Sequence, residues 1–323
     1  VAEAAGVTND RFTKGVSWGD VDNDRWPDLV VSNYHEPNRL YQNKGDGTFV
    51  DVAADVGVDR PLDSFPVWTW DFNNDGNLDI FISSYGGSVA TTMLEAFGRP
   101  VPPEIEEPGH FQGDGQWGFT NVAHRHGLGA PMVTMGCNLG DLDNDGWIDF
   151  YVGTGVPDIN VVVPNRLYLN VEGRRFEDAT MASGLGHLQK GHAVAFADFD
   201  HDGDLDVFEQ MGGARRVDEF RDALFENVGA PVNNWIKIRV IGSTSNRSGI
   251  GARIHIKLVG PSGRRRSVFR HVGVGASFGA NPLLQHLGVG DAERIDRLEV
   301  YWPTSDRTDR FSNIAVNRLI EVT

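Results

Sequence analysis

The stretch GDLDNDGWIDFYVG, Gly140 to Gly153, places Asp141, Asp143, Asp145 and Asp149 within nine residues and then turns apolar. At a separation of about 5 Å and an effective dielectric near 20, each pair of carboxylates repels by roughly 3 kcal/mol. Such a loop needs a counter-charge to close on itself.

The pattern occurs four times: DVDNDRWPDLVVS from Asp20, DFNNDGNLDIFIS from Asp71, DLDNDGWIDFYVG from Asp141 and DFDHDGDLDVFEQ from Asp198, at intervals of 51, 70 and 57 residues. A strand-like run precedes each copy (KGVSWG, FPVWTW, MGCNLG, HAVAFA) and a β-rich run follows it. NRLYQN, NRLYLN and DALFEN suggest a third strand, and GTFVDVA, WGFTNVA and RRFEDAT a fourth. Four short strands per repeat predict one blade of a β-propeller per unit, in an all-β chain. The units span about 14–51, 65–121, 133–178 and 191–232. Residues 233–323 form a second, β-rich domain: WIKIRV, ARIHIKLV, RSVFRHV and RLEVYW have strand lengths, and PSGRRR marks a hairpin tip. The opening VAEAAGV matches VAADVGV from Val52, so the numbered chain is expected to start inside a repeat, with any export signal upstream.

Each loop follows D-x-[DN]-x-D-G-x-x-D. The first, third and fifth side chains converge, the sixth residue makes the sharp turn, the seventh offers its carbonyl and the ninth closes the far side. The expected ligands are Asp20, Asp22, Asp24, Trp26 and Asp28; Asp71, Asn73, Asp75, Asn77 and Asp79; Asp141, Asp143, Asp145, Trp147 and Asp149; and Asp198, Asp200, Asp202, Asp204 and Asp206. Hard oxygens without nitrogen or sulfur suit calcium, up to four ions here; magnesium prefers to keep several waters, and zinc or copper fit poorly. The loops are not equal. Arg25 stands where the turn favours glycine, costing about 1–2 kcal/mol in a left-handed conformation, so the Asp20–Asp28 loop is expected to bind most weakly. Asn73 removes one charge from the second. Glu209 at position twelve of the fourth completes an EF-hand expression, but Val31, Ile82 and Val152 occupy that position elsewhere and the flanks are β-patterned, so this match is read as accidental.

Net charge is −16, unevenly divided. From Asn233 onward there are 14 Lys and Arg against 7 Asp and Glu, or +7, leaving 15 against 38, or −23, upstream. The acidic part repels nucleic acid and is the natural partner for the basic tail. No apolar run reaches the roughly 20 residues of a membrane span. The single cysteine, Cys137, excludes an intrachain disulfide. The GVGASFG segment from Gly273 lacks the spacing and βαβ context of a dinucleotide loop. Arg264, Arg265 and Arg266 read as a solvated hairpin tip more readily than as an anion grip.

These loops resemble the FG-GAP/VCBS repeats of integrin-like propellers, on WGDVDNDRWPDLVVSN and NRLYQNKGDGTF. NNWIKIRVIGSTSNRSGIGARIHI, HVGVGASFGANPLLQHLGVG and IDRLEVYWPTS are similar to the ASPIC/UnbV domain of the cartilage acidic protein family. The resemblance implies a calcium-bearing, usually exported propeller (secreted, periplasmic or cell-surface) used for adhesion or interaction.

Two functions remain open on the sequence. One is a calcium-stabilised module binding a protein, glycan or small molecule. The other is a calcium-dependent enzyme, a lyase, cyclase or hydrolase of natural-product metabolism. Its pocket would lie under the long insertion at 86–116, near His110, Trp117, His124 or His126. His192, beside Lys190 before the fourth loop, is a further catalytic candidate, but no H-E-x-x-H or P-loop motif is present.

Overall fold

The computed structural model describes residues 1–213, 215–229, 233–276 and 278–323. Each repeat folds as an antiparallel meander. The first sheet runs β1 (Thr13–Gly19), β2 (Asp28–Asn33), β3 (Arg39–Asn43) and β4 (Phe49–Asp51). The second runs β5 (Ser64–Trp70), β6 (Asp79–Ser84), β7 (Gly109–Gly113) and β8 (Phe119–Asn121). The third contains β9 (Thr134–Gly140), β10 (Asp149–Thr154), β11 (Arg166–Val171) and β12 (Arg175–Asp178). The fourth shows β13 (Gly191–Ala197), β14 (Asp206–Met211) and β15 (Ala223–Phe225) among the described residues.

Successive sheets stack face to face, which explains why the second strands of the two middle sheets run apolar without alternation. All six residues of β6 and of β10 are buried, because a sheet between two neighbours has no solvent face. Val30 and Leu40 pack on Val67, Ile80 and Ile82. Trp68, Trp70 and Phe81 meet Phe150, Tyr168 and Phe176, with Trp68 stacked on Phe81 at 4.2 Å and Trp70 on Phe176 at 5.6 Å. Tyr151 and Leu167 close on Val194, Phe196 and Val207.

The VAxxxGV segments are one-turn helices, α1 (Ala2–Ala5), α2 (Ala53–Val56) and, in the related sequence of unit three, a later helix at Thr180–Ser183. Each ends on a glycine in the left-handed region, Gly6, Gly57 and Gly184, with φ of 76°, 74° and 79°, the conformation a helix C-terminus prefers there. Within the insertion, α3 (Val89–Ala96) is capped by Ser88 and precedes the Thr180–Ser183 helix, α4. The insertion is shorter than its sequence suggests, because Gly109–Gly113, placed inside it above, is the third strand of its sheet.

The tail adds β16 (Asn234–Val240), β17 (Arg253–Val259), β18 (Arg265–His271), β19 (Gln285–Gly290), β20 (Arg294–Trp302), β21 (Arg307–Ala315) and β22 (Leu319–Val322). They form sheets ordered β19-β16-β22 and β18-β17-β20-β21 around their own core of Ile236, Ile254 and Leu298. The connection from β18 to β19 reaches back among the repeats. Val194 donates its N–H to Phe278 O at 3.2 Å, Asn281 bonds Phe196 N–H at 2.8 Å and Leu139 O at 2.7 Å, and Phe278 lies 5.0 Å from Phe65. GVGASFG therefore serves as a wedge between the tail and β9 and β13; its Ser277 lies outside the described residues.

Candidate metal centres

The four acidic loops share one backbone geometry. The sixth residue donates its N–H to Oδ2 of the first aspartate: Arg25 to Asp20 (2.9 Å), Gly76 to Asp71 (2.8 Å), Gly146 to Asp141 (2.9 Å) and Gly203 to Asp198 (3.0 Å). That residue is left-handed in all four, with φ of 85°, 91°, 95° and 105°, so Arg25 does occupy a glycine conformation. The fifth residue donates to the third side chain: Asp24 to Asp22, Asp75 to Asn73, Asp145 to Asp143 and Asp202 to Asp200. The seventh donates to the fifth: Trp26 to Asp24, Asn77 to Asp75, Trp147 to Asp145 and Asp204 to Asp202.

The ninth aspartate fastens the loop to its sheet. Oδ2 of Asp28, Asp79, Asp149 and Asp206 accepts the N–H of the second loop residue. Oδ1 accepts a third-strand or adjacent N–H, from Asn43, Gly113, Asn170 and Asn227 respectively. Donor atoms of Asp20, Asp22 and Asp28, of Asp141, Asp143 and Asp149, and of Asp198, Asp200 and Asp202 come within 4.8 Å of one another, three triads able to hold a metal ion. Loop two, with Asn73, is not one of these triads.

Burial, reinforced by neighbouring aspartates, pushes Asp28 and Asp71 up to about 7, Asp141 to about 6 and Asp145 to about 8. Asp79 and Asp149 lie well above the ordinary carboxylate range for the same reason. Asp20, Asp24 and Asp204 are also raised, chiefly by burial. Oδ1 of Asp20, Asp141 and Asp198, the first residue in each triad-bearing loop, is buried with no hydrogen-bond partner. An unsatisfied buried carboxylate oxygen is costly, and a cation is the group that satisfies several at once.

The basic tail lies over this acidic surface. Arg253 pairs with Asp20, Lys237 with Asp198, and Arg270 with Asp141 at 3.4 Å. The hairpin tip is docked as well: Arg266 donates to Asp145 O, and Arg264 lies 3.7 Å from Glu172. The solvated tip expected from sequence is thus partly buried against the third loop.

The fourth loop position was not anticipated as functional. Asn23, Asn74 and Asn144 are left-handed. Each Nδ2 donates to the next loop, to Asn77 Oδ1 (3.0 Å), Gly146 O (3.0 Å) and Gly203 O (3.1 Å). Each Oδ1 meets the tail, through Arg253 (2.6 Å), Phe269 N–H (2.9 Å) and His286 Nε2 (2.6 Å). The signal was an asparagine recurring at one register, with His201 in the fourth copy.

Of the histidine candidates only His110 and His126 meet; His124 and His192 lie apart from them. His110 is fully buried on β7, 4.3 Å from the Phe72 ring and 5.4 Å from His126, and burial holds its pKa well below the ordinary value. His126 is buried beside it in a turn, whereas the His124 side chain is 90% exposed, 3.8 Å from Glu107. His192 borders a separate pocket of about 280 Å³ with Gln210 and Phe220. A cavity of about 1200 Å³ is lined by Trp18, Thr69, Leu139 and Phe196 from β1, β5, β9 and β13, by Asp20 and Asp198, and by His271 and His286 of the tail. It is not under the insertion.

Residues 20–82 and 153–209 match the FG-GAP-like repeat family, and residues 242–323 match the ASPIC and UnbV family. The chain is therefore one that joins FG-GAP-like repeats to a C-terminal ASPIC/UnbV domain. It is distantly related over its full length to cartilage acidic protein 1. The identity is 28% to the Homo sapiens protein over 338 residues, covering 100% of this chain and 46% of that one. For the Mus musculus protein it is 27% over 336 residues, covering 100% and 47%. The chain thus spans about half the length of these relatives. The crystal structure of Saccharomyces cerevisiae Sqt1 is similar at a TM-score of 0.33 and 7% identity, covering 89% of this chain and 71% of that one; a likeness of that degree carries no argument. Among the described residues no helix is long and apolar enough to cross a membrane.

Proposed function

We propose that the chain is a calcium-stabilised interaction module: repeats at 1–232 forming propeller blades, joined to an ASPIC/UnbV domain at 233–323. The observation that carries this reading is the unpartnered, buried Oδ1 at the first position of loops one, three and four. A donor set made only of oxygen, from several carboxylates and a backbone carbonyl, favours calcium over softer metals. The fifth-position carboxylates and the seventh-position carbonyls of Trp26, Asn77, Trp147 and Asp204 would complete each shell.

Binding is favoured over catalysis because His110 and His126 meet inside a closed aromatic cluster, while His124 and His192 stand apart from them. The partner is a protein, glycan or small molecule, and kinship with cartilage acidic protein 1 supports an exported protein. Calorimetric titration of the chelator-stripped chain with calcium tests the reading: at least three binding events are expected, and no heat above dilution overturns it.

A further inference from the structure

Lys237, Arg253 and Arg270 come from three different tail strands, and each reaches the first aspartate of a different acidic loop. All three use the same oxygen: Lys237 meets Asp198 Oδ2, Arg253 meets Asp20 Oδ2, and Arg270 meets Asp141 Oδ2. Oδ1 of each of those aspartates is buried and has no partner. The Asp141 and Asp198 side chains are 0% and 2% exposed. Each carboxylate is therefore two-sided, with one oxygen committed to the tail and the other left for the loop.

We propose that these three cations set the calcium affinity of the loops they touch, and that calcium in turn loosens the tail. The inference rests on the calcium reading of the acidic loops given above. A carboxylate that already shares its charge with an ammonium or guanidinium offers a weaker potential to a second cation, and two cations on one carboxylate repel each other. Burial keeps salt from screening that repulsion. Because coupling between two bound groups is reciprocal, whatever factor the tail takes from calcium affinity, calcium takes from tail docking. Loop two supplies an internal contrast. Among the described residues no ion pair reaches Asp71, whose Oδ1 and Oδ2 accept the N–H groups of Asp75 at 3.1 Å and Gly76 at 2.8 Å.

The test is calcium titration calorimetry on the full chain, stripped with chelator, comparing wild type with Lys237→Met, Arg253→Met and, as control, Arg239→Met. Arg239 belongs to the same tail but pairs with exposed Glu321. Lys237→Met is expected to tighten one site by about tenfold, Arg253→Met a different one, and the double variant both, while Arg239→Met changes none by more than about twofold. Amide hydrogen exchange on wild type reads the reciprocal effect without any variant: β16 and β17 should exchange faster in calcium relative to β6 and β10. Wild type that binds calcium while both variants match or weaken its affinity overturns the inference and leaves the calcium reading standing. Wild type that binds no calcium overturns both. If the variants fail to fold, unchanged or slower exchange of β16 and β17 in calcium overturns the inference, and faster exchange supports it.

Discussion

Oδ1 of Asn144 lies 2.6 Å from Nε2 of His286, while Nδ2 of the same asparagine donates to Gly203 O and, at 2.7 Å, to Asp204 Oδ1. One buried side chain thus joins the third loop, the fourth loop and the tail. Because an amide oxygen only accepts, His286 carries its proton on Nε2; burial pushes its pKa down to about 3, and it stays neutral. Asn144→Ala strands these partners and should cost about 1–3 kcal/mol in urea-induced unfolding. Asn144→Asp should also destabilise, since it replaces the Nδ2 donor with an oxygen facing Asp204. A loss below about 0.5 kcal/mol for both would contradict the bridging role.

The raised carboxylates give the calcium response a pH window. Between the unfolded value near 4 and the folded values of about 6 to 8, the metal-free native state holds protons that the unfolded chain has released. Its stability therefore falls as pH rises through that range. Calcium holds the same groups ionised, so the calcium-induced rise in Tm should be largest near pH 8 and nearly vanish near pH 4. His271 and His286, lowered to about 3 by burial, cost stability as pH falls below about 6.5. They do so with or without the ion and cancel in the difference. Melting curves with and without calcium from pH 4 to 8 provide the check, and a pH-independent increment would contradict it.

Glu209 separates a chance motif from a ligand. Its buried carboxylate accepts from Tyr151 at 3.0 Å and lies 2.7 Å from His187 Nε2, on the strand position that Val31, Ile82 and Val152 fill in the other sheets. Glu209→Gln should lower stability by about 1–3 kcal/mol and leave every calcium site within about twofold by calorimetry. Weakening of one site by tenfold or more would make it a ligand.

Arg25 tests the inequality of the loops. Arg25→Gly relieves a left-handed arginine, worth about 1 kcal/mol, and gives up a surface ion pair with Asp306 worth at most about 1 kcal/mol. Stability should change little, while loop one gains calcium affinity several-fold through loss of a neighbouring cation. Unchanged affinity would show that Arg25 does not weaken the site.

The repeats were legible because their cause is local: nine loop residues contain every side chain needed to fold the loop, and the apolar run after them reports burial on both sheet faces. The charge division likewise foretold that the tail would lie on the repeats. Strand β7 was hidden because Gly109–Gly113 offers one phenylalanine between two glycines, and its strand character comes from pairing with Ile80 and Ile82. The asparagine bridges were visible as a repeat but not as a function, since their partners lie 54 to 230 residues away. His110 looked reactive by residue type; only the sheet stacking places it among Phe72, Trp70 and Phe176.

The claim beneath all of this is that a divalent cation completes the acidic loops. Thermal unfolding in excess EGTA, compared with millimolar calcium at pH 8, addresses it most directly. Three sites filled to about a hundred times their Kd each add about 2.7 kcal/mol, so Tm should rise by on the order of 10 °C. Superimposable melting curves in the two conditions would contradict the account.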